Sequence, residues 1–157
     1  MTQLIKARPT LYKGIQMRSR LEADYAAYLD RSEIAWEYEP VCFAGPDAQW
    51  LPDFRIEHGG YPIYIEVKPT SLPEDQVDTV LNRMAVTWLT DPEAIVELDL
   101  WPFGDSSGCV RITGDLTASP TWWQWAADGT RSPWPGMGQL DRMLIEQLDR
   151  MTSGGEA

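Results

Sequence analysis

The chain has 157 residues, 43% of them hydrophobic, which suits one domain with its own core. No apolar run reaches the length of a bilayer span, and two cysteines with a single histidine exclude a disulfide framework and a zinc cluster. The net charge of −11 works against contact with phosphates, but residues 1–21 carry Lys6, Arg8, Lys13, Arg18 and Arg20 and no acid, while the remainder holds 8 bases and 24 acids. With no apolar leader visible, the expectation is a protein of the cytoplasm of its cell or host, with no membrane partner and with Cys42 and Cys109 as free, buried thiols.

Residues 1–16 read as a basic N-terminal arm. Together with Arg18 and Arg20 on the first helical turn, Lys6, Arg8 and Lys13 either grip a nucleic-acid backbone or belong to a solvated tail. From Met17 to about Ser32, Leu21, Tyr25, Tyr28, Leu29 and Ser32 recur at helical spacing, with Glu22 at the edge of the apolar stripe.

Leu51-Pro52-Asp53-Phe54-Arg55-Ile56 and Tyr64-Ile65-Glu66-Val67-Lys68 read as the two arms of a β-hairpin, turned at His58-Gly59-Gly60. Along the second arm Ile63, Ile65 and Val67 point to one face and Tyr64, Glu66 and Lys68 to the other. That second face meets Asp53. Two acids so close repel each other and raise one pKa unless a cation lies between them. Hard oxygen ligands select Mg²⁺ or Mn²⁺. Lys68 can hold an attacking water or a developing phosphate charge. The plainer alternative makes Glu22 a solvated helix residue and Glu66 with Lys68 a surface pair.

After Pro69, Ser71-Leu72-Pro73-Glu74 fits a capping box with Ser71 as N-cap. Val77, Val80, Leu81, Met84, Ala85 and Trp88 then trace one helix face up to Asp91-Pro92, with Gln76 on the polar side. Ala94 to Trp101 is apolar enough for a central strand, and Cys109 to Ile112 reads as a short one. The tryptophans at 122, 123, 125 and 134 form core or a subunit contact, or else stack on bases. Pro133, Pro135, Gly136 and Gly138 form a connector. Gln139 to about Met151 is an amphipathic helix that packs on its own domain or pairs with a second copy as a homodimer element.

Pro52-Asp53 with Glu66-Val67-Lys68, preceded by an acid-bearing helix, resembles the PD-(D/E)XK nuclease superfamily, in particular its small phage-type and transposase-type endonucleases. The resemblance spans roughly residues 17 to 101 of a domain expected over 17–135. It implies an α/β restriction-endonuclease-like core of order αβββαβ, a mixed sheet flanked by helices. It implies Glu22, Asp53 and Glu66 as metal ligands with the Val67 carbonyl, and Lys68 as catalytic lysine. Asp24 and Glu39 are weaker candidates for the acids. The implied activity is Mg²⁺- or Mn²⁺-dependent hydrolysis of DNA, leaving 5′-phosphates, in phage or mobile-element recombination, repair or processing and within a larger complex where one exists. Two other classes stay open: a catalytically silent nuclease-fold subunit that binds DNA or protein, and an acidic protein that mimics DNA.

Overall fold

The computed structural model describes residues 9–46, 48–104, 106–116 and 122–135. Lys13 and Gly14, both at positive φ (47° and 81°), turn Thr10–Tyr12 (β1) back onto Ile15–Met17 (β2). The stretch expected as the end of a basic arm is therefore an antiparallel hairpin, because a two-residue turn with both φ positive matches the twist of the pair. Lys6 and Arg8 lie outside the described residues.

Arg20–Arg31 (α1) starts later than its apolar spacing implies. Met17 is taken into β2, and Ser19 caps the helix by accepting the Glu22 N–H at 3.1 Å. The first sheet strand is only Glu37–Tyr38 (β3), since Glu39 takes a left-handed φ of 45° and Pro40 follows. A small separate hairpin, Phe43–Ala44 (β4) with Gln49–Trp50 (β5), comes next.

The expected hairpin is present as Phe54–His58 (β6) and Tyr61–Pro69 (β7), turned by Gly59 and Gly60. The helix after it, Glu74–Met84 (α2), has Pro73 at its N-cap and no side-chain cap bond. The capping box expected from Ser71 does not form, because the helix begins too far beyond Ser71 for its hydroxyl to reach N3. Glu74 and Asp75 favour that first turn through the helix dipole instead. The helix also does not run on to Asp91. It tightens into a 3-10 turn over Ala85–Leu89, where Trp88 sinks into the core and gives its indole N–H to the Ala94 carbonyl at 2.9 Å.

Ile95–Trp101 (β8), Val110–Gly114 (β9), Trp122–Trp125 (β10) and Arg131–Pro133 (β11) complete the sheet. Its order is β11-β10-β9-β8-β7-β6-β3, with β7 and β8 parallel and every other neighbouring pair antiparallel. The protein is thus α/β, with a mixed seven-stranded sheet between two helices. α1 covers Phe54, Ile65, Val67 and Trp101 on one face, and α2 with the 3-10 turn covers Tyr64, Val96, Leu98, Leu100 and Ile112 on the other. This is why β8 reads as a near-continuous apolar run.

Trp122 is core, packed against Trp88 at a ring separation of 5.4 Å. Trp125 is partly exposed, and Arg131 stacks over Trp123 at 4.3 Å. Both cysteines are free, but neither is fully buried: Cys42 is exposed because it lies in the loop entering β4, and Cys109 is half-buried. No helix of the described residues is long and apolar enough to cross a membrane. The helix expected over 139–151, and with it the dimer element, lies outside the described residues.

Candidate metal centre

The β6–β7 register ends with Phe54 paired to Ile65, and Asp53 and Glu66 are the next residue on each arm. The Asp53 N–H donates to the Ile65 carbonyl at 2.9 Å, which holds Asp53 against the second arm. Asp53 is 2% exposed and Glu66 6%. The Asp53 carboxylate also accepts the Val67 N–H at 2.8 Å on Oδ2, so the two arms of the hairpin hold it rigidly. Lys68 is only partly buried, and its Nζ lies 3.5 Å from Glu66 Oε1.

Glu22 arrives from α1, at the third position of the helix, and is 5% exposed. The cap explains its orientation: the Ser19 hydroxyl donates to Glu22 Oε2 at 3.2 Å, and the Tyr38 hydroxyl donates to the same oxygen at 3.2 Å. The N-terminal end of the helix favours an anion there. Burial first, then the nearby charges of Glu66 and Glu22, push the Asp53 carboxyl well above its ordinary range.

Arg18 closes this group. Its guanidinium lies 2.9 Å from Asp53 Oδ1, 3.7 Å from Glu22 Oε1 and 3.7 Å from Glu39 Oε2. Burial alone would lower its pKa, but Asp53, Glu22 and Glu39 outweigh that and keep it charged. On the other side Trp50, from β5, donates its indole N–H to Glu66 Oε2 at 3.1 Å. The small β4–β5 hairpin therefore serves to aim one carboxylate.

Glu22, Asp53, Glu66 and Lys68 are thus brought to one end of the sheet. Among the described residues no three His, Cys, Asp or Glu side chains are close enough to hold a metal ion together. Glu22 and Asp53 share the Arg18 guanidinium, while Glu66 meets Trp50 and Lys68. By type the donors fit a hard dication: all are carboxylate oxygens, and a buried acid held up by like charge is relieved when a cation arrives. Asp24 is elsewhere, accepting from Trp101 Nε1 and the Gly104 N–H at 2.6 Å each. The Glu39 carboxylate meets the group through Arg18, and its backbone N–H donates to the Asp53 carbonyl at 2.9 Å. Of the expected nucleic-acid contacts, Arg18 is turned onto the acids, Lys13 pairs with Asp30 at 2.9 Å, and Arg20 is exposed on α1.

Arg18, Tyr38 and Trp50 enter the site without any periodicity to mark them. The one local signal is Ser19-Arg20-Leu21-Glu22, a serine three residues before a glutamate at the start of an apolar stripe.

A second acidic group lies under α1. Asp99 and Glu97 of β8 are buried and share Arg111, at 3.2 and 3.3 Å, and the Tyr25 hydroxyl donates to Asp99. Burial, then the charge of Asp99, raises the Glu97 carboxyl well above its ordinary range. Asp99 stands beside Val67 in the parallel register, so this group points to the α1 face, away from Glu66.

No protein-family model, no curated protein and no solved structure matches the chain.

Proposed function

We propose that the protein is a Mg²⁺- or Mn²⁺-dependent deoxyribonuclease, an endonuclease with a restriction-endonuclease-like core. One observation carries the reading: the buried acids Asp53 and Glu66 each adjoin the last paired residue of a hairpin arm, with Lys68 two residues on and Glu22, from the helix before, sharing Arg18 with Asp53. The element order α1, β3, β6, β7, α2, β8 is similar to that of the PD-(D/E)XK core and supports it. Asp53, Glu66 and the Val67 carbonyl would hold the metal, with Glu22 completing the set. Mg²⁺ in such a site supplies positive charge to the scissile phosphate and makes a water more acidic. Lys68, beside Glu66 and partly open to solvent, would orient that water and take up charge developing on the phosphate. Trp50 holds Glu66 in place while this happens.

The test is incubation of supercoiled plasmid, linear duplex, single strand and four-way junction with Mg²⁺, Mn²⁺ or EDTA, alongside Glu66→Ala and Lys68→Ala. Metal-dependent cutting should vanish with Glu66→Ala. It should fall about a hundredfold or more with Lys68→Ala, which keeps its metal binding. No cutting of any DNA under any condition would overturn the reading. The pairing of Arg18 with Asp53 favours one second reading, a nuclease-fold subunit that binds DNA or a protein partner without cutting, its acids neutralised from within. DNA binding without cleavage, with or without Mg²⁺, would select it.

A further inference from the structure

Arg18 is the only basic side chain that touches Asp53 among the described ion pairs, and its setting is lopsided. The acids it meets are nearly closed off, with side-chain exposures of 6% for Glu22 and 4% for Asp53, whereas the Arg18 side chain is 56% exposed. Its backbone is anchored, since its N–H donates to the Tyr38 hydroxyl at 3.0 Å between β2 and the Ser19 cap. The guanidinium is therefore a removable charge on a fixed stem, lying on Asp53 Oδ1, the oxygen that the Val67 N–H leaves open. A guanidinium and a dication cannot both occupy that oxygen without strong repulsion in a buried setting. Glu22 and Asp53 would repel each other just as strongly if left with neither.

We propose that Arg18 is a built-in counter-ion that competes with a divalent cation for Asp53 and Glu22: it offsets part of their negative charge while no metal is bound and swings to the solvent side when metal binds, free to meet a substrate phosphate. The inference rests on the reading of Asp53 and Glu22 as metal ligands. Its consequence is quantitative. The binding-competent form is the fraction with Arg18 released, so the apparent affinity for metal is reduced by that fraction. Removing the charge removes the competition. A substitution that merely damaged the site would weaken metal binding, so a gain in affinity separates competition from damage.

The experiment measures Mn²⁺ binding to the full chain, without DNA, by the electron paramagnetic resonance of free Mn²⁺ and by calorimetry. Wild type, Arg18→Gln and Arg18→Lys are compared. Arg18→Gln should bind Mn²⁺ about tenfold more tightly than wild type, within the usual range of coupling between two sites. Arg18→Lys should stay near wild type. In EDTA, Arg18→Gln should melt below wild type, and added Mn²⁺ should raise its Tm by more. Should Arg18→Gln be unfolded in EDTA, Mn²⁺ should refold it, followed by circular dichroism; a chain unfolded in both conditions counts against the proposal. Wild type that binds Mn²⁺ while Arg18→Gln binds equally or less tightly overturns the role of Arg18 and leaves the nuclease reading standing. No Mn²⁺ binding by any of the three overturns the ligand assignment, and the competition with it.

Discussion

Replacing Trp50 by Phe keeps most of a buried ring and deletes one donor from Glu66. The indole N–H donates to Glu66 Oε2 at 3.1 Å, and the two residues are 2% and 6% exposed, so water cannot easily step in. A hydrogen bond to a carboxylate contributes about 1.5–3 kcal/mol, and leaving its buried oxygen without the donor incurs that loss in full. The smaller ring gives up roughly another 1 kcal/mol of apolar burial. In a chain of this size each kcal/mol moves Tm by about 2–4 °C, so Trp50→Phe should lower it by roughly 5–15 °C. The assay is a double-mutant cycle with Glu66→Gln, followed by urea unfolding in EDTA. Trp50→Phe should cost at least about 1 kcal/mol less once Glu66 is already an amide, because the cycle isolates the pair. Mn²⁺ binding should also weaken about tenfold or more in Trp50→Phe, as it does when the hydrogen bond that orients a metal ligand is lost. Additive effects on stability, together with unchanged Mn²⁺ binding, would refute the view that the β4–β5 hairpin exists to aim Glu66.

Glu97 supplies a pH dependence of definite sign. Its folded pKa is raised by burial and by Asp99, so its contribution to stability is complete below its unfolded value and is lost as pH rises through the folded one. Wild type should lose stability as pH rises above the ordinary carboxylate range, and Glu97→Gln, which leaves Arg111 paired with Asp99, should lose less of it over the same rise. Identical slopes of urea midpoint against pH would remove Glu97 as a cause. Gly114 is needed for space: a Cβ there would lie 2.6 Å from Trp122 Cζ3 and 2.8 Å from Trp88 Cη2. Gly114→Ala should therefore destabilise by about 1–3 kcal/mol, read as a drop in Tm, and an unchanged Tm would mean that these two rings repack freely.

The elements with a local code were legible in the chain. Period-two alternation in Ile63–Lys68 and the Gly59-Gly60 turn set the register that brings Asp53 to Glu66, because a one-residue slip would have turned Ile65 and Val67 out of the core. The apolar runs of α1, α2 and β8 marked the layers for the same reason. Local patterns failed where the backbone overruled them. Ser71 and Glu74 have capping-box spacing, yet Pro73 becomes the N-cap, whereas Ser19 and Glu22 have the same spacing and form the contact that aims a candidate ligand. The basic arm could be counted from composition, but which of its charges would turn inward could not.

Sequence alone therefore determined the α/β class and the central hairpin, since both rest on the intrinsic periodicity of strand and helix, whereas the four candidate site residues came from the resemblance of their motif. Tertiary structure alone decided what those residues touch. Trp50 reaches Glu66 across 16 positions, Arg18 reaches Asp53 across 35, and Tyr25 reaches Asp99 across 74. Contacts between distant segments have no local signature. They are selected because a buried carboxylate without a partner is too unfavourable to persist, and only the packed sheet determines which donor or charge lies near enough to supply one.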